Sequence, residues 1–233
     1  MMSNTKRIAI IQSNYIPWKG YFDLISAVDE FVIYDEVQFT KNDWRNRNKI
    51  VTPQGSQWLT IPVEQSIHKK ITDIKITNRN WRDKHWKSLK SNYSRSANFK
   101  VVSEFLENIY LQSDSLLLSN INRLFINEIA GFLNISTNIT DSESIEKLSG
   151  YKDRNERLLE ICLRRNAGIY VTGPSARNYL NVDLFESENI KIEWFSYEGY
   201  KSYPQLWGSD FDHYVSIVDL LFNCGERSKD YML

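Results

Sequence analysis

The stretch up to residue 34 confines this chain more tightly than anything after it. Arg7-Ile8-Ala9-Ile10-Ile11-Gln12 is an apolar run of strand length. Ser13-Asn14-Tyr15-Ile16-Pro17 interrupts it, because proline disfavours helical backbone in the residue before it. From Trp18 to Val28 the apolar positions 21, 24, 25 and 28 recur at helical spacing, and Phe31-Val32-Ile33-Tyr34 is a second apolar strand. Strand, helix and strand over about 30 residues make a βαβ unit, which joins two parallel strands by a crossover. The expectation is therefore an α/β fold with a Rossmann-like, mostly parallel sheet.

Pro53-Gln54-Gly55 predicts a tight turn, and residues 57–63 alternate as a strand. Ile71-Thr72-Asp73-Ile74-Lys75-Ile76 alternates too and predicts a half-buried strand. From Trp81 the period becomes helical, with Trp81, His85, Leu89 and Tyr93 on one face. Further helices are expected over 98–110 and 115–133, then a polar connector over 134–144 and a helix over 153–166. Strands return at 168–172 and 190–195, and an apolar helix runs from Val215 to Phe222. This divides the chain into the first part of the sheet domain (1–80), a helical insertion (81–166) and a C-terminal return to the sheet (167–233).

Composition removes several function classes. Lys+Arg and Asp+Glu both number 29 among 233 residues, so there is no basic footprint for nucleic acid. Cys162 and Cys224 are isolated, which argues against a disulfide framework or a zinc site, and no metal is expected. No apolar run approaches the roughly 20 residues of a membrane span. The opening MMSNTKR has no apolar leader segment, so a cytoplasmic protein is expected. Tryptophan and tyrosine, 7 and 13 residues, often sit beside polar neighbours. Each offers an apolar face and a donor, which suits sugar rings or bases as well as a wetted core edge.

The densest polar segment follows the second strand. Asn42-Asp43-Trp44-Arg45-Asn46-Arg47-Asn48 holds two guanidiniums, a carboxylate, three carboxamides and an indole. A core does not absorb so many polar groups without partners, and arginine grips phosphate bidentately. The segment reads as a polar ligand site beyond a strand's carboxyl end, where open α/β sheets bind; the plainer reading is a charged surface turn. Gly173-Pro174-Ser175-Ala176-Arg177 follows another strand, and Ser175 and Arg177 there suit a phosphate clamp on the same edge. The loop Gln12–Tyr15 leads into a helix N-terminus, a natural anion site. His85 is either a core residue or a general base; surface roles fit His68 and His213 better.

Two resemblances follow. Strand, loop and helix at the start resemble the nucleotidylyltransferase superfamily, which includes pantothenate synthetase. Its H-x-G-H motif falls on Trp18-Lys19-Gly20-Tyr21, so both histidines that assist adenylylation are missing. More extensively, the chain resembles the WbqC-like family. The matching stretches are residues 8–25 and 31–50, WLTIPV at 58–63, Trp81, His85 and Tyr93, YVTGPSARNYL at 170–180, and YPQLWG through SIVDLLFNCG at 203–225. His213 departs from that pattern. The resemblance implies a role in O-antigen or other surface-polysaccharide biosynthesis. The implied reaction is N-acyl transfer, specifically aminoacyl and notably glycyl, to the amine of a nucleotide-linked 4-amino-4,6-dideoxy sugar such as a dTDP-sugar.

For that reaction His85 or Asp35 would take the ammonium proton, and Arg45, Arg47 and Arg177 would hold the diphosphate. Trp44 or Tyr15 would stack on base or sugar, with Gln12, Asn14, Gln38, Asn48 and Ser175 supplying further polar contacts. No resident cofactor is expected. The acyl donor would be a thioester on an acyl carrier protein, or an adenylate made from ATP; the missing histidines favour the thioester. Two alternatives stand beside it: a non-catalytic sugar-nucleotide-binding or assembly protein, and an ATP-dependent amide ligase of the pantothenate-synthetase type. A glycosyltransferase would want a D-x-D motif, which the chain lacks.

Overall fold

A computed structural model describes residues 5–66, 68–145, 153–208 and 210–233. The opening Met1–Asn4 and the stretch 146–152 inside the expected helical section lie outside the described residues.

The expected βαβ unit is present. β1 (Arg7–Ile11) is followed by α1 (Lys19–Ser26) and then β2 (Glu30–Ile33), which pairs parallel with β1. Next come a hairpin of β3 (Arg47–Thr52) and β4 (Gly55–Thr60), and three helices, α2 (Trp81–Tyr93), α3 (Phe99–Gln112) and α4 (Leu118–Phe132). β5 (Asn138–Asp141), α5 (Arg154–Arg164), β6 (Ile169–Thr172), α6 (Val182–Glu186), β7 (Lys191–Trp194) and α7 (Ile217–Cys224) complete the order. The five-stranded sheet runs β5-β2-β1-β6-β7, and all its pairings are parallel. The protein is α/β, with a parallel Rossmann-like sheet and a helical insertion.

The two-residue period of the strands divides the core between the faces of the sheet. Ala9, Phe31, Ile33 and Val171 join the larger cluster, with α1–α4 and α7. Ile8, Ile10, Val32, Tyr170 and Ile192 point the other way, against α5 and α6. Trp81, His85, Leu89 and Tyr93 are all buried, as their four-residue spacing predicts.

Two local expectations are corrected. The polar connector over 134–144 contains β5, the edge strand beside β2. Its residues are only partly buried, so composition carried no strand signal, and pairing with β2 supplied the order. The strand expected over 71–76 is instead a single 3₁₀ turn, Ile71–Asp73, followed by isolated bridges of Lys75 to Leu117 and Ile76 to Val63. Ile71, Ile74 and Ile76 are buried against helices without a continuous partner strand. The turn at Pro53-Gln54-Gly55 forms as expected: Gly55 has φ +104°, a left-handed conformation that glycine adopts without strain.

Buried carboxylates tie the larger layer together. Asp219 on α7 accepts hydrogen bonds from Tyr93, Tyr203 and Gln205 at 2.6, 2.7 and 3.0 Å. The Tyr93 hydroxyl also accepts the Val51 N–H, so one helix face links α7 to the hairpin. On α1, Asp23 accepts from the Tyr200 hydroxyl and the Leu233 N–H, while Lys19 donates to the Tyr231 carbonyl. Without such partners each buried charge would be strongly destabilising. These bonds also fix the long connection between β7 and α7, whose described residues form no regular structure.

Candidate functional site

The sheet changes direction between β1 and β6. From β1 the chain proceeds through β2 towards β5, and from β6 it proceeds to β7 on the other side. The carboxyl ends flanking such a switch point are where open α/β sheets bind ligands. A cleft of about 780 Å³ lies there, a volume that suits a ligand of nucleotide size.

Its walls come from three parts of the chain. Strand ends supply Ile10 and Ile11 of β1 and Thr172 of β6, with Gln12 just beyond β1 and Tyr34 just beyond β2. The second wall is the Gly173–Ala176 turn with Tyr179, and Arg154 at the start of α5. The Arg154 guanidinium lies 3.8 Å from the centre of the Tyr179 ring. The third wall is aromatic: Trp18 precedes α1, and Tyr197, Tyr200, His213 and Tyr214 come from the β7–α7 connection. Trp18 packs 5.3 Å from Tyr197 and 5.7 Å from Tyr200. Gly20 permits this, because a Cβ there would stand only 2.4 Å from the Trp18 ring. Trp18, the first residue of Trp18-Lys19-Gly20-Tyr21, therefore sets an indole in the cleft wall.

A second, smaller pocket of about 160 Å³ shares Trp18 and Tyr214 with the cleft, and Asn14, Pro17, Trp44 and Asn48 complete it. Asn48 braces the loop between β1 and α1 by donating to the carbonyls of Tyr15 and Ile16. Arg45 holds the same loop from its side chains, donating to Asn14 Oδ1 and, at 3.1 Å, to Gln12 Oε1.

The anticipated site residues thus separate. Gln12 and Ser175 line the large cleft; Asn14, Trp44 and Asn48 line the small pocket. Arg45 stands behind both. Arg47 packs on Trp58, 4.3 Å from the ring centre, and donates to the Asn42 carbonyl. Arg177 is exposed and packs on Trp194 at 4.8 Å. The three arginines hold separate neighbours, and none of them lines the cleft. Gln38 is exposed and bridges to Lys70.

Asp35, just past β2, is buried and accepts the Ser13 N–H and hydroxyl at 2.8 and 2.6 Å. Burial pushes its carboxyl upward, and the two bonds from Ser13 pull it back. His85 and Tyr15 lie in the core. The Tyr15 hydroxyl meets His85 Nδ1 at 2.9 Å and the Tyr110 hydroxyl at 2.6 Å. His85 Nε2 lies 3.2 Å from the Thr60 carbonyl, which can only accept. Nε2 therefore carries the proton, Nδ1 accepts from Tyr15, and Tyr15 accepts from Tyr110. Burial lowers the His85 pKa to about 4, so the ring is neutral near pH 7.

His213 is the imidazole that the fold brings to the cleft. Its ring stands edge-on to Phe211 at 4.4 Å, and neither ring nitrogen has a hydrogen-bond partner among the described residues. A buried, unpartnered nitrogen such as its Nδ1 is unusual enough to mark a place for a water or a ligand. Burial and then the charge of Lys19 lower its pKa, although Asp212 opposes them. Sequence reasoning missed His213, Arg154 and the tyrosines of the β7–α7 connection. Clustered aromatics from Phe195 to Tyr203 were the one signal available. No group of side chains suited to holding a metal occurs among the described residues, and no helix of the structure is long and apolar enough to cross a membrane.

Fold and cleft together define an α/β protein with a nucleotide-sized site at the switch point of a parallel sheet. The WbqC-like protein family matches residues 12–231, and the chain belongs to that family. It is 47% identical over 229 residues to the uncharacterized protein Rv1507c of Mycobacterium tuberculosis (strain ATCC 25618 / H37Rv), an alignment covering 97% of each chain. No solved structure matches it.

Proposed function

We propose that the protein is an amide-forming acyltransferase. It would pass an aminoacyl group, glycyl first among the candidates, to the amine of a nucleotide-linked 4-amino-4,6-dideoxy sugar in surface-polysaccharide biosynthesis. The observation that carries this reading is the cleft at the switch point, with an imidazole on its wall that has no hydrogen-bond partner among the described residues.

Amide formation begins with a neutral amine. His213, its pKa lowered, is a free base at neutral pH and would take the ammonium proton. The amine nitrogen attacks the acyl carbonyl carbon, the C–N bond forms, and a tetrahedral oxyanion develops. Its collapse breaks the bond to the leaving group, a thiolate for a carrier-protein thioester; the imidazole, having released the first proton to solvent, takes the second amine proton and passes it to that thiolate. Donors at the oxyanion would speed this step, and the Ser175 hydroxyl lies in the cleft wall. Asp35 serves here as the anchor of Ser13, and His85 as part of the core. Arg154 is the charge available to a diphosphate.

The donor decides between thioester transfer and ligation from ATP. Trp18 occupies the place of a phosphate-assisting histidine, which favours a donor activated elsewhere. Incubation of the protein with dTDP-4-amino-4,6-dideoxyglucose and a glycyl thioester on a carrier protein should add one glycyl mass to the sugar, read by mass spectrometry. Free glycine with ATP should add none. Product from glycine and ATP, with AMP and pyrophosphate released, would replace the thioester with an adenylate. No product from either donor would overturn the transferase reading and leave a binding protein.

A further inference from the structure

We infer that the small pocket between Trp18 and Trp44 is the pyranose subsite for a nucleoside-diphosphate sugar whose nucleotide occupies the large cleft. The inference rests on the proposed substrate class and assigns its two halves to two cavities.

Size makes the first argument. The large cleft, about 780 Å³, and the small pocket, about 160 Å³, share Trp18 and Tyr214 as walls. A cavity of about 150 Å³ accommodates a single six-membered ring, so the small pocket suits one sugar ring and no nucleoside. Chemistry makes the second. Trp18 and Trp44 offer apolar ring faces of the kind that pack on the C–H face of a pyranose. Polar contacts would come from Asn14, whose Oδ1 is held by Arg45. The Asn14 amide N–H groups have no partner among the described residues and are free for a sugar hydroxyl. Asn48, by contrast, spends its amide on the loop carbonyls and shapes the pocket. Position makes the third. Tyr214 borders both cavities and directly follows His213, so a ring in the small pocket lies beside the cleft wall that carries the imidazole.

Trp44 is 39% exposed, and its neighbour Trp58, 5.4 Å away between ring centres, is 42% exposed but outside the pocket. Substitution at either position leaves the core intact, so the pair supplies a variant and its control. Calorimetric titrations of dTDP and of dTDP-4-amino-4,6-dideoxyglucose against wild type, Trp44→Ala and Trp58→Ala separate the two halves of the ligand. Wild type should bind the sugar nucleotide roughly tenfold more tightly than dTDP, as expected for about 1.4 kcal/mol of ring contact. Trp44→Ala should lose that advantage while keeping its affinity for dTDP, and Trp58→Ala should keep both. If Trp44→Ala weakens both ligands equally, or neither, the sugar does not occupy the small pocket and the inference falls while the proposed function stands. The same holds if wild type binds dTDP and the sugar nucleotide alike. If wild type binds neither, both fail together.

Discussion

His85 lies among Tyr15, Trp81 and Tyr110 with both ring nitrogens bonded, whereas His213 lies on the cleft wall with neither bonded among the described residues. Burial lowers the pKa of both rings, so the direction of that shift does not distinguish them. The difference is in what each has left to offer. His85 gives its proton to the Thr60 carbonyl and its lone pair to Tyr15, which exhausts the side chain. His213 retains a donor and an acceptor next to a cavity. A histidine's usefulness in catalysis depends on unspent hydrogen-bonding capacity beside a substrate, and its place on a helix face gives no measure of that.

The sharpest way to break this contrast is to exchange the consequences of the two substitutions. His213→Gln should lower turnover by roughly 10²–10⁴-fold with little change in melting temperature. It should also abolish an acid limb in the rate profile, lying below the ordinary imidazole range because the His213 pKa is lowered. If the variant retains wild-type turnover, His213 is not the base.

His85→Gln should act on stability, by about 1–3 kcal/mol near pH 7, because it removes one member of a buried hydrogen-bonded chain. Protonation sharpens the test. Between the ordinary value of 6.5 and about 4, the unfolded chain binds a proton at this histidine and the folded chain does not. Its contribution therefore falls as the pH drops through that window, by at most about 3 kcal/mol. Thermal melts from pH 7 to pH 4.5 should show a smaller loss in His85→Gln than in wild type. A turnover defect without a stability defect would return His85 to the chemistry.

The smallest effects should separate the arginines. Arg154→Ala should weaken dTDP-sugar binding by several-fold up to roughly tenfold, since a surface-exposed charge contributes less than a buried one. Arg47→Ala and Arg177→Ala, which remove guanidiniums packed on Trp58 and Trp194, should stay within about 0.5 kcal/mol. A larger loss at Arg47 than at Arg154 would put the phosphates on the hairpin side of the molecule.

Much of the architecture was legible in the chain, for a local reason. The apolar strands and the four-residue spacing of Trp81, His85, Leu89 and Tyr93 reflect a periodicity that the backbone imposes on any half-buried element. The same rule misread Ile71-Thr72-Asp73-Ile74-Lys75-Ile76, whose alternating isoleucines pack on helices, and passed over β5, which β2 organises from outside. The polar stretch 42–48 stands out in the sequence by its density of charged and amide groups. Three of its residues serve in or behind the small pocket, Trp44 and Asn48 as walls and Arg45 as a brace.

The sequence by itself determined the βαβ start, the helical middle section, the return to the sheet and the family. Each of these follows from patterns contained within a few neighbouring residues or from whole motifs in order. Only the tertiary structure decided which imidazole meets the cleft. His85 and His213 are 128 positions apart, and their environments are built from strands, loops and helices distant in the chain. Tyr15, Thr60 and Tyr110 close around the one, while the β7–α7 connection, pinned by Asp23 and Asp219, carries the other to the switch point of the sheet. Hydrogen-bond saturation is a property of those long-range neighbours, so no local pattern encodes it.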